Sequence, residues 1–128
     1  MLYVADSHAK GRGVFTDEAI PKGALIENCP VLEIPLSELK SIDATMLYNY
    51  YFAWGKEQKG GAIALGLGSI YNHSYLPNAV YVAKQDRQII EFRAIKAIQV
   101  GEEVTINYNG FPDDRSPLWD NNGINWVD

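Results

Sequence analysis

One cysteine, Cys29, and two histidines, His8 and His73, are all that this 128-residue chain offers of the side chains that most often form disulfides or hold zinc. A single cysteine excludes an intramolecular disulfide framework and a Cys-rich zinc cluster. No His-Glu-x-x-His spacing is present, so no metal site is expected. Cys29 reads as a small packed hydrophobe. Positive charge is also scarce, with 11 Lys and Arg against 16 Asp and Glu and a net charge of −5. That balance argues against a nucleic-acid binder, which needs a positive footprint for phosphates. It suits a basic partner, drawn by electrostatic attraction. No apolar run approaches the ~20 residues of a membrane span. The start, Met1 to Asp6, has neither a charged n-region nor an apolar h-region. A soluble intracellular protein, cytoplasmic or nuclear, is the expectation.

The residues that are present describe one compact domain. Hydrophobic residues make up 47% and charged residues 21%, an ordinary globular balance. Eleven Gly and six Pro promise many turns, and the aromatic share of 12% is high enough to line a pocket. Short apolar runs between turn signals predict a mainly β fold. Strands are expected at Leu2 to Ala5, Val14 to Thr16, Ala24 to Asn28 and Val31 to Ile34, with a break at Cys29-Pro30. A short helix or 3-10 turn fits Ser37 to Asp43. Tyr48 to Trp54 favours a strand paired with Ala62 to Leu67, with a helix over Ala44 to Trp54 as the rival. Val80 to Lys84 and Gln88 to Arg93 predict a hairpin, and Val104 to Asn107 a last strand. Beyond Gly110 loop formers dominate, yet Phe111, Trp119 and Trp126 are rings that need something to pack on. A tail over residues 111–128 that folds back on a domain of residues 1–110 is therefore expected.

Three segments carry chemistry. Lys10-Gly-Arg-Gly13 lacks the Gly-Lys-Ser/Thr ending of a P-loop and the third Gly of a dinucleotide fingerprint, but it lets backbone approach a ligand closely. Tyr71-Asn-His-Ser-Tyr-Leu-Pro-Asn78 concentrates polar side chains before a strand. A polar turn that bonds its own backbone accounts for Asn78 after Pro77. It accounts poorly for the adjacent Asn72 and His73, which suit an adenine edge or an amino-acid moiety. A Ser-His hydrolase is disfavoured, since no Gly-x-Ser-x-Gly elbow frames Ser69 or Ser74. Gly101-Glu-Glu-Val-Thr-Ile-Asn-Tyr108 places a phenol at a strand end.

Together and in this order the segments resemble the SET-domain family of protein lysine methyltransferases. The matching pieces are Lys10-Gly-Arg-Gly-Val-Phe15 with Ile20-x-x-Gly23, Tyr71-Asn-His-Ser-x-x-Pro-Asn78, and Ile98-x-x-Gly-Glu-Glu-Val-Thr-x-x-Tyr108. The resemblance implies small curved sheets, few short helices and a C-terminal pseudoknot. It implies S-adenosylmethionine as cofactor and a lysine in a basic protein, histone-like or other, as substrate. By position, Arg12, Gly13, Val14, Asn72 and His73 would contact the cofactor, and Tyr108 would stand at the methyl-transfer site. Tyr81 and Phe92 match aromatic walls of the lysine channel. Ser69 stands where many members carry Arg, and the Cys-rich module after the domain is missing, so Trp119 or Trp126 is the candidate to close the channel. Short stand-alone members look like this and several work as dimers, which implies a homodimer. The alternative is a non-catalytic SET-like module that binds a basic peptide or the cofactor.

Overall fold

Leu2 to Asp6, the first strand (β1), shows how the chain solves its burial problem: Leu2 packs on the core while Tyr3 and Val4 stay partly exposed. The computed structural model describes residues 1–8 and 10–118. Within them lie β1 (Leu2–Asp6), β2 (Arg12–Thr16), β3 (Leu25–Ile34), α1 (Leu36–Asp43), β4 (Phe52–Trp54), β5 (Gly60–Ala64), β6 (Asn72–His73), β7 (Ala79–Lys84), β8 (Ile89–Ala94) and β9 (Glu103–Ile106). The mainly β reading holds, with α1 as the expected short helix.

The strands form two sheets, ordered β1-β2-β9-β6 and β4-β5-β3-β8-β7. Val14, Val104 and Ile106 of the first sheet share one core with Cys29, Val31, Ile90 and Phe92 of the second. Each such side chain, fully buried, contributes roughly 1.5–3 kcal/mol. Cys29 is a core hydrophobe, as expected. The two Ile-x-x-Gly turns meet: Ile20 and Ile98 exchange backbone hydrogen bonds of 2.9 and 2.8 Å. Gly23 and Gly101 end these turns at φ +87° and +86°, where a Cβ would be strained.

Three local expectations change. β3 runs unbroken through Cys29-Pro30, because the strand changes partner there. Residues up to Pro30 pair with β8, whereas Val31 onward pairs with β5. A proline cannot donate to a ladder, and at the handover it is tolerated. Over Tyr48 to Trp54 only Phe52 to Trp54 is strand; Met46–Asn49 is a 3-10 turn, capped by the Thr45 hydroxyl, which accepts from the Leu47 N–H at 3.2 Å. β5 stops at Ala64, and the chain turns over residues 65–70 with Gly66 at φ +64°.

The two-residue β6 was invisible to periodicity. It runs parallel to β9, with Asn72 opposite Thr105 and His73 opposite Ile106. This pairing, extended by the Ser74 N–H to Ile106 O bond of 2.8 Å, is the strand contact of the C-terminal pseudoknot. No helix among the described residues is long and apolar enough to cross a membrane.

Candidate active site

The parallel β6–β9 pair puts the Asn-His segment beside the segment that ends in Tyr108. Asn72 donates through its amide to the Arg12 carbonyl at 3.0 Å and to Glu103 at 2.7 Å, tying β6 to β2 and β9 at once. Gly13 lies against the same pair: a Cβ built there would sit 2.2 Å from Glu103 Oε2 and 2.8 Å from Asn72 Nδ2. Glycine is therefore required for β2 to come this close. Gly13 and Val14 are buried, and Arg12 is exposed. The structure thus brings Arg12, Gly13, Asn72 and His73 together where β2, β9 and β6 meet, with the Val14 side chain in the core behind them.

His73 is buried, and its Nδ1 accepts the Tyr108 backbone N–H at 3.0 Å, so that nitrogen carries no proton. Its carbonyl accepts the Lys10 ammonium at 2.9 Å. The Tyr108 phenol donates to the Tyr71 carbonyl at 2.6 Å. Tyr108 is held at both ends by residues adjacent to Asn72. Burial, followed by the neighbouring Tyr50, Glu103 and Tyr81, drives its pKa far above the usual phenol range. It stays protonated under ordinary conditions.

On the other side of Tyr108 opens a cleft of about 400 Å³. It is lined by Tyr48, Tyr50, Tyr51, Phe52, Tyr71, Tyr81 and Tyr108, with Asn49, Gln58, Ser69 and Asn109 as polar neighbours. Among its described lining residues none is charged. Tyr81 donates to the Tyr108 carbonyl at 3.1 Å, and burial pushes its pKa up to about 12. Tyr51 donates to Asp43 at 2.7 Å; burial, then that carboxylate, takes it to about 12 as well. Phe92 is fully buried and does not line the cleft. It backs the wall, stacked on Tyr71 at 4.5 Å and set edge-on to Phe52 at 6.3 Å. Ser69 bonds both backbone groups of Ala64 at 3.1 Å, tying the 65–70 turn to the end of β5.

After Tyr108 the chain folds back. Asn107 donates to the Asp114 carbonyl at 2.7 Å, and Asn109 and Tyr75 donate to the Ser116 carbonyl at 2.9 and 3.0 Å. Trp119 and Trp126 lie outside the described residues. Asn78 departs from the local-turn reading. Its side chain bonds β9 instead, donating to Glu103 O at 2.8 Å and accepting from Thr105 N at 2.9 Å. Sequence reasoning quoted Glu103 within a motif but gave it no role, and it missed Glu27 and the run Tyr48-Asn-Tyr-Tyr-Phe52. The density of rings in that run was the available signal, read only as a choice between strand and helix. A carboxylate between Ile26 and Cys29 was a second.

Comparison with known proteins adds to this geometry. The model of the SET-domain family matches residues 11–109. Over 108 residues the chain is 35% identical to a Schizosaccharomyces pombe protein named histone-lysine N-methyltransferase, H3 lysine-37 specific, spanning 84% of this chain and 72% of the relative. A crystal structure of a candidate histone methyltransferase from Plasmodium falciparum superposes with a TM-score of 0.63 at 29% identity, over 84% of this chain and 91% of that one. Polycomb Repressive Complex 2 of Chaetomium thermophilum, autoinhibited and bound to S-adenosylmethionine, gives a TM-score of 0.70 at 26% identity. That match covers 87% of this chain but 15% of the larger one. Three motifs in order, the strand pair that joins two of them and the family match over residues 11–109 agree: this chain belongs to the SET-domain family.

Proposed function

We propose a basic, histone-type protein as the substrate of this enzyme, a protein-lysine N-methyltransferase that uses S-adenosylmethionine. The observation that carries the reading is Tyr108, fastened to His73 on one side and facing an uncharged aromatic cleft on the other. When bound, S-adenosylmethionine supplies an electrophilic methyl group on a sulfonium. The residues where β2 and β6 meet β9 fit such a cofactor. The His73 carbonyl already takes an ammonium, from Lys10, and the Asn72 amide and Arg12 carbonyl lie beside it. We assign Arg12, Gly13, Asn72 and His73 to holding the cofactor, with Val14 supporting them from the core.

The cleft deals with the substrate amine. A free lysine has a pKa of about 10.4, so near neutral pH only about one in a thousand is neutral and nucleophilic. Removal from water into a ring-lined cleft disfavours the ammonium and lowers that pKa. With no carboxylate among the described lining residues, nothing there holds the charge in place. Tyr108, kept protonated by its surroundings, orients the amine and supports it electrostatically. Tyr81 and Tyr71 supply further wall, and Phe92 supports them from behind. Residues 111–118, bonded back to Asn107, Asn109 and Tyr75, we read as a cover beside the cleft.

Incubation with labelled cofactor and a panel of histones and other basic proteins tests this reading. Transfer to lysine, located by mass spectrometry, is the expected result; absence of transfer to every basic protein overturns it. The intracellular location of histone-type substrates is part of the same proposal. Homodimerisation is a separate proposal, resting on the likeness to short stand-alone members. Light scattering at working concentration decides it, with a mass of one chain as the refuting outcome.

A further inference from the structure

Glu27 is a carboxylate of β3, facing inward beside Cys29, and it takes no part in the chemistry described so far. Its two oxygens are used separately. Oε1 accepts the Tyr71 phenol at 2.8 Å, and Oε2 accepts the Leu67 backbone N–H at 3.0 Å. Both partners belong to the run that enters β6, although Glu27 is 44 and 40 residues away from them in sequence. Tyr71 itself is 1% exposed and stacked on Phe92 at 4.5 Å. Its phenol is tied to β3, while its carbonyl accepts the phenol of Tyr108.

We propose that Glu27 is a positioning residue for methyl transfer: by gripping residues 67 and 71 it sets the Tyr71 carbonyl, which in turn sets the Tyr108 phenol. The inference rests on the methyltransferase reading and adds a residue to it. A hydrogen bond from a buried donor to an ionised acceptor is stronger than a neutral one. Two of them on one carboxylate leave the run 67–71 little freedom to slide along the core. Misplacement of a reacting group by about 1 Å costs about 100-fold in rate, so rigidity at this point is a kinetic quantity.

The test compares Glu27→Ala, Glu27→Gln and Tyr71→Phe in the full chain, by kinetics and by amide hydrogen exchange. Glu27→Ala is expected to lower kcat at least about tenfold, with the cofactor Kd within about threefold. Glu27→Gln can still accept from Leu67 and can donate to a reoriented Tyr71 phenol, and is expected to restore kcat to within about threefold of wild type. In Glu27→Ala the Tyr108 amide should exchange at least about tenfold faster, although it lies on another element. Unchanged kcat with unchanged Tyr108 exchange overturns the proposal, and so does a glutamine variant as impaired as the alanine. If Glu27→Ala does not fold, Tyr71→Phe decides, because it removes only the phenol oxygen. Slower turnover with faster Tyr108 exchange supports the proposal, and no change in either refutes it. Lack of activity in the wild type sinks the methyltransferase reading alone, since the exchange measurement judges Glu27 without turnover.

Discussion

Removing one oxygen, in Tyr108→Phe, separates orientation from proton abstraction. The variant loses the bond to the Tyr71 carbonyl, worth about 1 kcal/mol of stability. Its kcat is expected to fall at least about tenfold. Its rate should still rise with pH between about 7 and 9, because the substrate amine and not Tyr108 loses the proton there. Steady-state kinetics across that range check both parts, and a flattened profile would restore the general-base role. Gly13→Ala tests the cofactor site. A methyl group there must displace Glu103 and Asn72, so calorimetric binding of S-adenosylmethionine should weaken by at least about tenfold at a stability cost of roughly 1–3 kcal/mol. At this scale the sequence was informative where chemistry is dense: Asn72, His73 and Tyr108 stand out as residue types. Glu27 did not stand out, because its partners are 40 and 44 positions away and no local pattern reports them.

Among the elements, hairpins and the helix were legible, since period and turn residues are local. β7 and β8 pair across Gln85-Asp86-Arg87 as their alternation suggests. β6 was not legible, for two residues have no period. Its place is set by β9 and by the Asn78 side chain, whose amide fills in for a missing piece of ladder. Asn78→Ala leaves one donor and one acceptor of the β9 backbone without that partner and is expected to destabilise the fold by about 2–4 kcal/mol. A lower urea midpoint with an unchanged m-value would bear this out. A change within about 0.5 kcal/mol would show that the tether is dispensable. The break read at Pro30 was half right: the local signal was real, but it marks a change of partner and not the end of a strand.

For the molecule as a whole, burial of phenols and of one thiol sets the response to alkali. Tyr71, Tyr81, Tyr108 and Cys29 all have pKa values raised by burial first, with Tyr81 and Cys29 reaching about 12. Each is neutral in the fold and ionises more readily once unfolded. Their contribution to stability is therefore complete below the unfolded values of 9.0 for the thiol and 10.0 for the phenols, and is lost as pH rises beyond them. Thermal unfolding should show a Tm insensitive to these groups up to about pH 8.5 and falling steeply above about pH 10. A Tm that holds through pH 11 would contradict the burial of these groups. The acidity legible in composition bears on partner choice more than on fold, which two sheets and one core explain without it. The parallel seam between β6 and β9 has one more consequence, in time. During synthesis Asn72 and His73 emerge long before Thr105 and Ile106, the residues they must lie against. Closing so distant a contact is slow. Until Thr105 and Ile106 have been made, Asn72 and His73 lack the strand they lie against, so the site between β6 and β9 forms only after that stretch is synthesised.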